Sequence, residues 1–473
     1  MKRFYLILIS LSMILATVSC DFTPKNNNPT KDPETEEPNI PGEEPQDDLT
    51  FERLFNDDLF KTLTIKISEA EWNRFKTKQQ SNQNQFGTMR VDEYFKIELI
   101  YEDLDGSYTI SNVGFRNRGN TSLDWISNND GSPRINHFKF KFNYQFSGNH
   151  TENKGRKIFN LKEIDLKYNR NNVPHYMTEA YSMEMFQHYD VYAQETSHAL
   201  VKIEIGNQKY TYGVYTIFEP IDDEFIERRF EKDASNGPLY KVLWQGYGPA
   251  SLQPIKNNNE IGEETLTYHP SYDLKTNENE MNKHEALKAF IQNINQKNGV
   301  DFKDYIEENF NVKMFLRYLA VNVFLGNPDD FRSMGNNYYL YQDSKTSVWN
   351  FIPYDFDHAL GNGWNPTGNY TIGLDIYDWF NQMAINSGDY SYRPVLVDKI
   401  FEHQEYRDLY EAILKEILDD DYFTFNYFYQ RYIKTRDLYQ NTFNEAIMNL
   451  GFQRGNAEWY INAKRNDINS QLN

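Results

Sequence analysis

The sequence has a single cysteine and fewer basic than acidic residues. One cysteine, Cys20, in 473 residues cannot form an internal disulfide, and it excludes zinc sites built from several thiolates. The 49 lysines and arginines against 69 acidic residues leave a formal net charge of -20. This balance argues against a nucleic-acid-binding protein, because phosphates are bound by basic surfaces. Hydrophobic residues make up 39% of the chain, which is enough for a folded core.

Several catalytic motifs are also missing. The chain contains no His-Glu-x-x-His zinc motif, no Gly-x-x-x-x-Gly-Lys-Ser/Thr phosphate loop, no Gly-x-Ser-x-Gly elbow and no dinucleotide fingerprint leading into a helix. The nine histidines are scattered without the spacing of metal ligands. Zinc proteases, P-loop NTPases, serine hydrolases and Rossmann enzymes are therefore disfavoured.

The N-terminus predicts export. A short basic start precedes the apolar stretch Phe4–Val18, which is shorter than the roughly 20 residues that span a bilayer and is typical of a secretory signal. Cys20 directly follows Leu15–Ser19, an arrangement that resembles a bacterial lipoprotein signal. We therefore predict a signal peptide at 1–19 and lipidation of Cys20, which would hold an extracytoplasmic protein at the membrane. An ordinary signal peptide with an incidental cysteine is the alternative.

The next segment, 20–48, predicts an extended tether. It combines frequent prolines with many acidic residues and only two lysines. Such a composition cannot bury enough apolar surface to offset the entropy lost on ordering, so we expect this segment to be disordered.

The folded body predicts an α+β protein with two lobes. Residues 49–245 show strand alternation and hairpin turns, with helices after Ser68 and Pro174. Residues 246–282 are rich in Asn, Gly and Pro and predict a loop or insertion. Residues 283–473 are mainly helical, with one short hairpin set among the helices. We therefore expect a sheet-rich N-terminal lobe and a helical C-terminal lobe that carries this hairpin.

Acidic and amide side chains surround that hairpin. Asp329 and Asp330 follow a helix, Asn337 begins the hairpin, and Asp355 and Asp357 follow its second strand. A helix end and the two ends of one tight hairpin lie close together, so these groups can face one spot. Carboxylate and amide oxygens suit Mg²⁺ or Mn²⁺, and a further Asp can orient a hydroxyl nucleophile for phosphoryl transfer. The plainer alternative is that these residues cap turns and helix ends.

Basic residues line two strands of the first lobe. Arg116 and Arg118 lead into a turn at Gly119, and Lys139 and Lys141 share the polar face of a later strand. These side chains are candidates for binding phosphate. An exposed basic sheet face paired with acidic residues is the alternative.

Six segments in this order together resemble the spore coat protein H (CotH) kinase family. They are Phe115–Ser122, Tyr212–Tyr215, Phe218–Asp222, Gly326–Asp329, Asn337–Tyr341 and Ile352–Asp357. The resemblance implies an atypical protein-kinase-like fold that binds ATP with Mg or Mn and phosphorylates Ser or Thr hydroxyls of proteins.

The resemblance also implies roles for single residues. Asp329 stands where the catalytic acid stands, with Asp330 as its rival. Asn337 and Asp355 resemble the metal-binding Asn and Asp, and Asp357 supports them.

The remaining implied roles concern ATP. Lys139 or Lys141 would bind phosphate, and Phe218-Glu219 would lie near the linker that holds the adenine ring. We therefore predict a surface or spore-coat kinase whose partners are a protein substrate and, through the lipid anchor, the membrane, with no nucleic acid. A non-catalytic surface lipoprotein that binds or organises wall or coat components is the main alternative, and a nucleotide-sugar transferase is a further one.

Overall fold

The computed structural model describes residues 48–146, 151–276, 283–362, 371–380 and 392–473. The predicted signal peptide, Cys20 and all of the predicted tether but its last residue lie outside the described residues.

Seven strands of the first half form a closed barrel. They are β1 (Thr62–Ile67), β2 (Phe95–Asp103), β3 (Gly106–Arg118), β4 (His137–Lys141), β5 (Glu163–Tyr168), β6 (Thr196–Ile205) and β7 (Gln208–Phe218). The strand order is β1-β2-β3-β4-β5-β7-β6, and a parallel pairing of β6 with β1 closes the barrel. Alternating apolar side chains fill the interior, so the opposite side chains of each strand point outward.

Four helices accompany these strands: α1 (Phe51–Phe55), α2 (Glu69–Phe86), α3 (Thr178–His188) and α4 (Asp223–Arg229). The predicted helix after Ser68 is α2, and the Ser68 side chain caps it by accepting a hydrogen bond from the Glu71 backbone N–H at 3.2 Å. Phe75 of this helix stacks on Phe95 of β2, with ring centroids 4.1 Å apart. This contact fastens α2 to the barrel.

A second sheet of five strands lies beside the helical part. Its members are β8 (Leu239–Val242), β9 (Ile261–Gly262), β10 (Tyr272–Leu274), β11 (Tyr338–Gln342) and β12 (Trp349–Pro353). The order is β12-β11-β8-β10-β9, and β11 and β12 form the predicted hairpin. The segment predicted as a loop or insertion thus contributes β9 and β10. These strands contain two and three residues, too few for a period-2 pattern to be visible in the sequence.

Helices dominate the second half. They are α5 (Lys283–Gln296), α6 (Gly299–Asn309), α7 (Val312–Leu325), α8 (Phe331–Met334), α9 (Val395–Phe401), α10 (Gln404–Asp419), α11 (Phe425–Tyr439) and α12 (Ala457–Leu472). Helix α7 is buried at nearly every position and forms the centre of a large apolar core. Helix α3 of the first half joins this core rather than that of the barrel.

The mixed α+β class with sheet-rich and helical parts is therefore confirmed. The sheet-rich part is a closed barrel, which the predicted two-lobed kinase-like arrangement did not anticipate. The barrel arises because β5, a strand absent from the sequence-based expectation, bridges β4 and β7. The two-lobed arrangement itself stays a prediction. Among the described residues, no helix is both long and apolar enough to cross a membrane.

The end of α11 fastens the helical part to the barrel. The buried Tyr439 hydroxyl donates a hydrogen bond to the His198 carbonyl at 2.8 Å and accepts one from the Lys61 N–H at 3.0 Å. Beyond this helix, the Ile447 N–H donates to the Thr211 carbonyl at 2.8 Å. The C-terminal region therefore returns to strands β6 and β7.

We expect the Tyr439→Phe variant to unfold at a lower temperature than the wild type. The change leaves a buried N–H and a buried carbonyl without their partner, which should cost about 1–3 kcal/mol of unfolding free energy. Thermal and urea unfolding measure the effect. Tyr247→Phe, at a side chain 37% exposed, is the matched control and should behave as the wild type. Equal stability of the Tyr439→Phe variant would contradict this account of the junction.

Candidate functional site

A buried lysine of the barrel meets two acidic side chains from the helical part. Lys167 lies on β5, and its ammonium is 2.6 Å from Oδ1 of Asp355. The same ammonium donates a hydrogen bond to Oε1 of Glu179, in the first turn of α3. The Lys167 side chain is only 8% exposed. This ion-paired group joins three elements that are far apart in the sequence.

The local sequence explains where Lys167 points. On β5, Ile164 and Leu166 enter the barrel interior, so Asp165 and Lys167 face outward on the opposite side of the strand. Burial alone would lower the pKa of Lys167, but the negative charge of Asp355 outweighs it and raises that pKa. Lys167 is therefore cationic at neutral pH.

The two acidic partners of Lys167 differ in charge state. Burial raises the pKa of Asp355, but the nearby Lys167 outweighs it and brings that pKa down to about 2. Burial, together with the charges of Asp355 and Asp357, raises the pKa of Glu179 to about 8 despite the contact with Lys167. Asp355 is therefore the ionised partner.

At each end of the hairpin one residue lies in the left-handed backbone region. Asn337 precedes β11 with φ 56°, and Asp355 follows β12 with φ 60°. Such a backbone is uncommon outside glycine and is most often adopted by Asn and Asp, and it clusters at functional sites. The Tyr354 N–H donates to the Asn337 carbonyl at 3.2 Å, so the two ends are fastened side by side. The predicted convergence of Asn337 and Asp355 is therefore present.

The doubled aspartate separates into two different environments. Asp330 is fully buried; its carboxylate accepts hydrogen bonds from the Tyr318 hydroxyl at 2.8 Å, from the Asn322 amide and from the Ser333 N–H at 2.9 Å. It is also the N-cap of α8. Both carboxylate oxygens of Asp330 thus accept hydrogen bonds from groups inside the protein.

Asp329 is the half-buried member of the pair and faces the hairpin ends. Its Oδ1 accepts a hydrogen bond from the Asn336 amide at 2.9 Å, and its backbone carbonyl accepts one from the Asn337 amide at 2.8 Å. Burial raises the pKa of Asp329 to about 6, and the charges of Asp355 and Asp357 act in the same direction. Asp329, Asp355 and Asp357 therefore lie within one electrostatic environment.

The oxygen atoms around Asp355 are of the kind that bind a hard divalent cation when a substrate supplies further oxygen ligands. In the part of the chain that the structure describes, no three histidine, cysteine or acidic side chains are grouped so as to hold a metal ion unaided. Mg²⁺ commonly uses one or two carboxylates and completes its shell with water and phosphate oxygens. Burial and the neighbouring Asp355 raise the pKa of Asp357. Asp355, Asp357 and Asn337 together fit a cation of this kind.

The two lysines predicted to bind phosphate are paired with acidic side chains on the outside of the barrel. Lys139 donates a hydrogen bond to Glu163 and lies 3.4 Å from Asp165. Lys141 lies 3.7 Å from Glu163. The lysine that the structure brings to Asp355 is Lys167, and phosphate binding by Lys139 or Lys141 stays a prediction.

The two arginines make different contacts. Arg118 donates a hydrogen bond to the Tyr354 hydroxyl at 2.7 Å and lies 3.2 Å from Asp165, so it reaches the residue next to Asp355. Arg116 donates to the Val91 carbonyl at 3.3 Å and packs over the Tyr94 ring. Only Arg118 of this pair contacts the end of the hairpin.

Glu219 is a buried structural group. Its carboxylate accepts hydrogen bonds from Arg228 and Arg229 and from the Glu195 N–H. Its own N–H donates to the Glu195 carbonyl at 2.9 Å, and its carbonyl accepts from the Gln194 amide. All its polar groups are paired within the protein, which leaves none for the predicted contact with adenine.

Lys167 and Glu179 were missed by sequence reasoning. The available signal was the alternation in Glu163-Ile164-Asp165-Leu166-Lys167-Tyr168, which is typical of a strand with one charged face. Glu179 carries no local signal, because an acidic residue in the first turn of a helix is common for reasons of the helix dipole.

Comparison with known proteins assigns the chain to a family. The family model described as CotH kinase protein matches residues 115–466, so the chain belongs to the CotH kinase family. The chain is 24% identical over 254 residues to the inner spore coat protein H of Bacillus subtilis (strain 168), a match that covers 54% of this chain and 61% of that relative. The predicted family is therefore confirmed, and the chain matches less than two thirds of that relative.

A solved structure was also matched, the proinflammatory kinase CtkA of Helicobacter pylori. The match covers 65% of this chain and 87% of that chain, with 10% identity and a TM-score of 0.24. A likeness at this level supports no inference about the present chain.

We expect Asp330→Ala to destabilise the protein strongly and Asp329→Ala to leave its stability nearly unchanged at pH 7. The first change strands three donors and removes a helix cap, at a cost of about 2–4 kcal/mol. The second change removes one hydrogen bond. It also removes a carboxylate that is costly to ionise, because it is partly buried. Urea unfolding of the two variants measures the difference. Equal losses of unfolding free energy would contradict the different environments of Asp329 and Asp330.

The effect of Asp329→Ala on the free energy of unfolding should depend on pH in a defined direction. The pKa of Asp329 is about 6 in the folded protein and 3.8 in the unfolded reference, so between these values the folded state binds the proton more tightly. The stability of the wild type relative to Asp329→Ala should therefore fall as the pH rises from about 4 to about 6. A difference that does not vary with pH, or that rises, would show that Asp329 is not held in this environment.

Proposed function

We propose that this protein is a metal-dependent atypical kinase that transfers the γ-phosphate of ATP to Ser or Thr hydroxyls of a protein acceptor. The observation that carries the proposal is the Lys167–Glu179–Asp355 contact beside Asp329 and Asn337. A lysine paired with a helix glutamate, an Asp that holds the metal, a base and a metal-binding Asn are the parts that protein kinases use. Membership of the CotH kinase family supports the same activity.

In this proposal Lys167 binds phosphate oxygens of ATP, and Glu179 holds the lysine in place. Asp355, with Asp357 and the side-chain oxygen of Asn337, would hold Mg²⁺ or Mn²⁺. Bound there, the metal supplies positive charge that neutralises the phosphates. Asp355 is suited to this role because it stays ionised and its second oxygen lies outside the contact with Lys167.

Asp329 takes the proton of the acceptor. The acceptor hydroxyl oxygen forms a bond to the γ-phosphorus, the bond between that phosphorus and the β,γ-bridging oxygen breaks, and ADP leaves. The hydroxyl proton passes to Asp329, whose Oδ2 has no hydrogen-bond partner among the described residues. The raised pKa of Asp329 favours this transfer, because a base works best when its pKa is near the working pH.

Lys167 and Lys141 provide the decisive comparison. We expect Lys167→Met to reduce phosphate transfer about 100-fold or more, because the phosphates lose a preorganised cation. Lys141→Met, at a lysine 36% exposed in its side chain, should stay within about threefold of the wild type. The assay combines transfer of labelled γ-phosphate to a Ser/Thr-rich protein with calorimetric titration of ATP and Mg²⁺ or Mn²⁺ into the full chain.

The outcomes separate the two main functions. Saturable, metal-dependent ATP binding that is lost in Lys167→Met and kept in Lys141→Met supports the kinase. A folded wild type that binds no ATP with either metal would overturn the kinase and favour a non-catalytic surface protein that binds or organises wall or coat components. Loss of activity in Lys141→Met but not in Lys167→Met would indicate that Lys141 binds the phosphates.

We further propose that the kinase works outside the cytoplasm, anchored to the membrane by lipid on Cys20. The apolar stretch before this cysteine supports the proposal. In bacteria fed a labelled fatty acid, the wild type should incorporate label and fractionate with membranes, and Cys20→Ser should do neither. Equal labelling of both forms would exclude this site of lipidation.

A further inference from the structure

Asn336, next to the metal-binding candidate Asn337, lies between the candidate base and the 244–251 segment. Its side-chain carbonyl accepts a hydrogen bond from the Trp244 N–H at 2.6 Å. Its side-chain nitrogen donates to Oδ1 of Asp329 at 2.9 Å. An amide has a distinct donor end and acceptor end, so the Trp244 N–H allows only the nitrogen to face Asp329.

The 244–251 segment is held firmly against the turn that carries Asn336. The Ala250 N–H donates to the Gly335 carbonyl at 2.8 Å, and the Tyr338 hydroxyl donates to the Ala250 carbonyl at 2.5 Å. Gly335 has φ 57°, and a Cβ at this position would lie 3.0 Å from the Ser251 nitrogen. The close approach of the two backbones therefore keeps the Trp244 N–H in register with the Asn336 amide.

The two neighbouring asparagines divide their contacts with Asp329. Asn337 donates to the Asp329 backbone carbonyl and so fixes the main chain of the loop. Asn336 donates to the carboxylate itself and uses only Oδ1. The protein thus holds Oδ1 of the carboxylate. Because the carboxylate is planar, holding Oδ1 limits the directions in which Oδ2 can point.

We propose that Asn336 is a positioning residue that holds Asp329 by Oδ1 and aims Oδ2 at the acceptor hydroxyl. The proposal rests on the kinase activity proposed above. It places the 244–251 segment, most of it inside the region that the sequence indicated as a loop or insertion, in the machinery that orients the base. Asn336 acts through Asp329 and touches neither ATP nor the acceptor.

The Asn336→Asp variant separates positioning from packing. Its carboxylate still accepts the Trp244 N–H but has no donor for Asp329. Asn311→Asp is the matched control, because the Asn311 amide also accepts from a backbone N–H, that of Met314, and donates to a side-chain oxygen, that of Asn350. Both variants lose the hydrogen bond that the amide donates to a side-chain oxygen and gain one charge, but only the first alters Asp329.

We expect Asn336→Asp to lower kcat about 100-fold, because misplacing a catalytic group by about 1 Å has an effect of this size. The Kd for ATP and Mg²⁺, measured by calorimetry on the full chain, should stay within about threefold, and Asn311→Asp should keep its kcat within the same margin. A kcat for Asn336→Asp within threefold of the wild type would overturn the proposal. A loss of ATP affinity that matches the loss of kcat would overturn it too, because that result indicates a general structural role.

A second measurement does not depend on activity. Thermal unfolding of Asn336→Ala, Asp329→Ala and the double variant forms a double-mutant cycle, and we expect the two Tm shifts not to add, because the residues are in contact. Additive shifts would overturn the inference even in an active kinase. If the wild type transfers no phosphate, the proposed function fails, while the cycle still tests whether Asn336 holds Asp329.

Discussion

The contact between Lys167 and Asp355 is the constraint on which the rest of the site depends. An ammonium and a carboxylate 2.6 Å apart, with Lys167 largely removed from water, are favourable only while each keeps its partner. Lys167 comes from the barrel and Asp355 from the end of the β11–β12 hairpin, and Glu179 brings helix α3 to the same ammonium. The barrel, this helix and the hairpin must therefore be placed together for this contact to form.

Around this contact the polar groups fall into two sets. Tyr318, Asn322 and Asp330 satisfy one another inside the helical core, and the Asn327 N–H donates to the Asn322 side-chain oxygen at 3.2 Å. These groups are buried, and each makes hydrogen bonds within the protein. Asp329, Asp355 and Asn337 keep an oxygen without a protein partner among the described residues. A satisfied layer thus supports a second layer that keeps oxygens for the proposed metal and acceptor.

Charged residues on the outward faces of the barrel strands have a related but different role. Arg118 of β3 and Lys139 of β4 both pair with Asp165 of β5. Arg118 carries this network to Tyr354, directly before Asp355. Their effect on the site is electrostatic and indirect, since Arg118 helps to keep the pKa of Asp355 low.

Local patterns in the chain were sufficient for the family, the mixed α+β class, the hairpin and the convergence of Asp329, Asn337 and Asp355, because turns, alternation and short loops act over a few residues. They did not distinguish Asp329 from Asp330 or Lys167 from Lys139 and Lys141, since these residues have the same chemistry and similar neighbours along the chain. Long-range packing made those choices. Strand β5 joined β4 to β7 in the barrel and turned Lys167 toward Asp355, and helix α7 buried Asp330 while leaving Asp329 beside the hairpin. Burial and partners at sequence separations above 100 residues, such as the 188 between Lys167 and Asp355, are invisible to any short window of sequence.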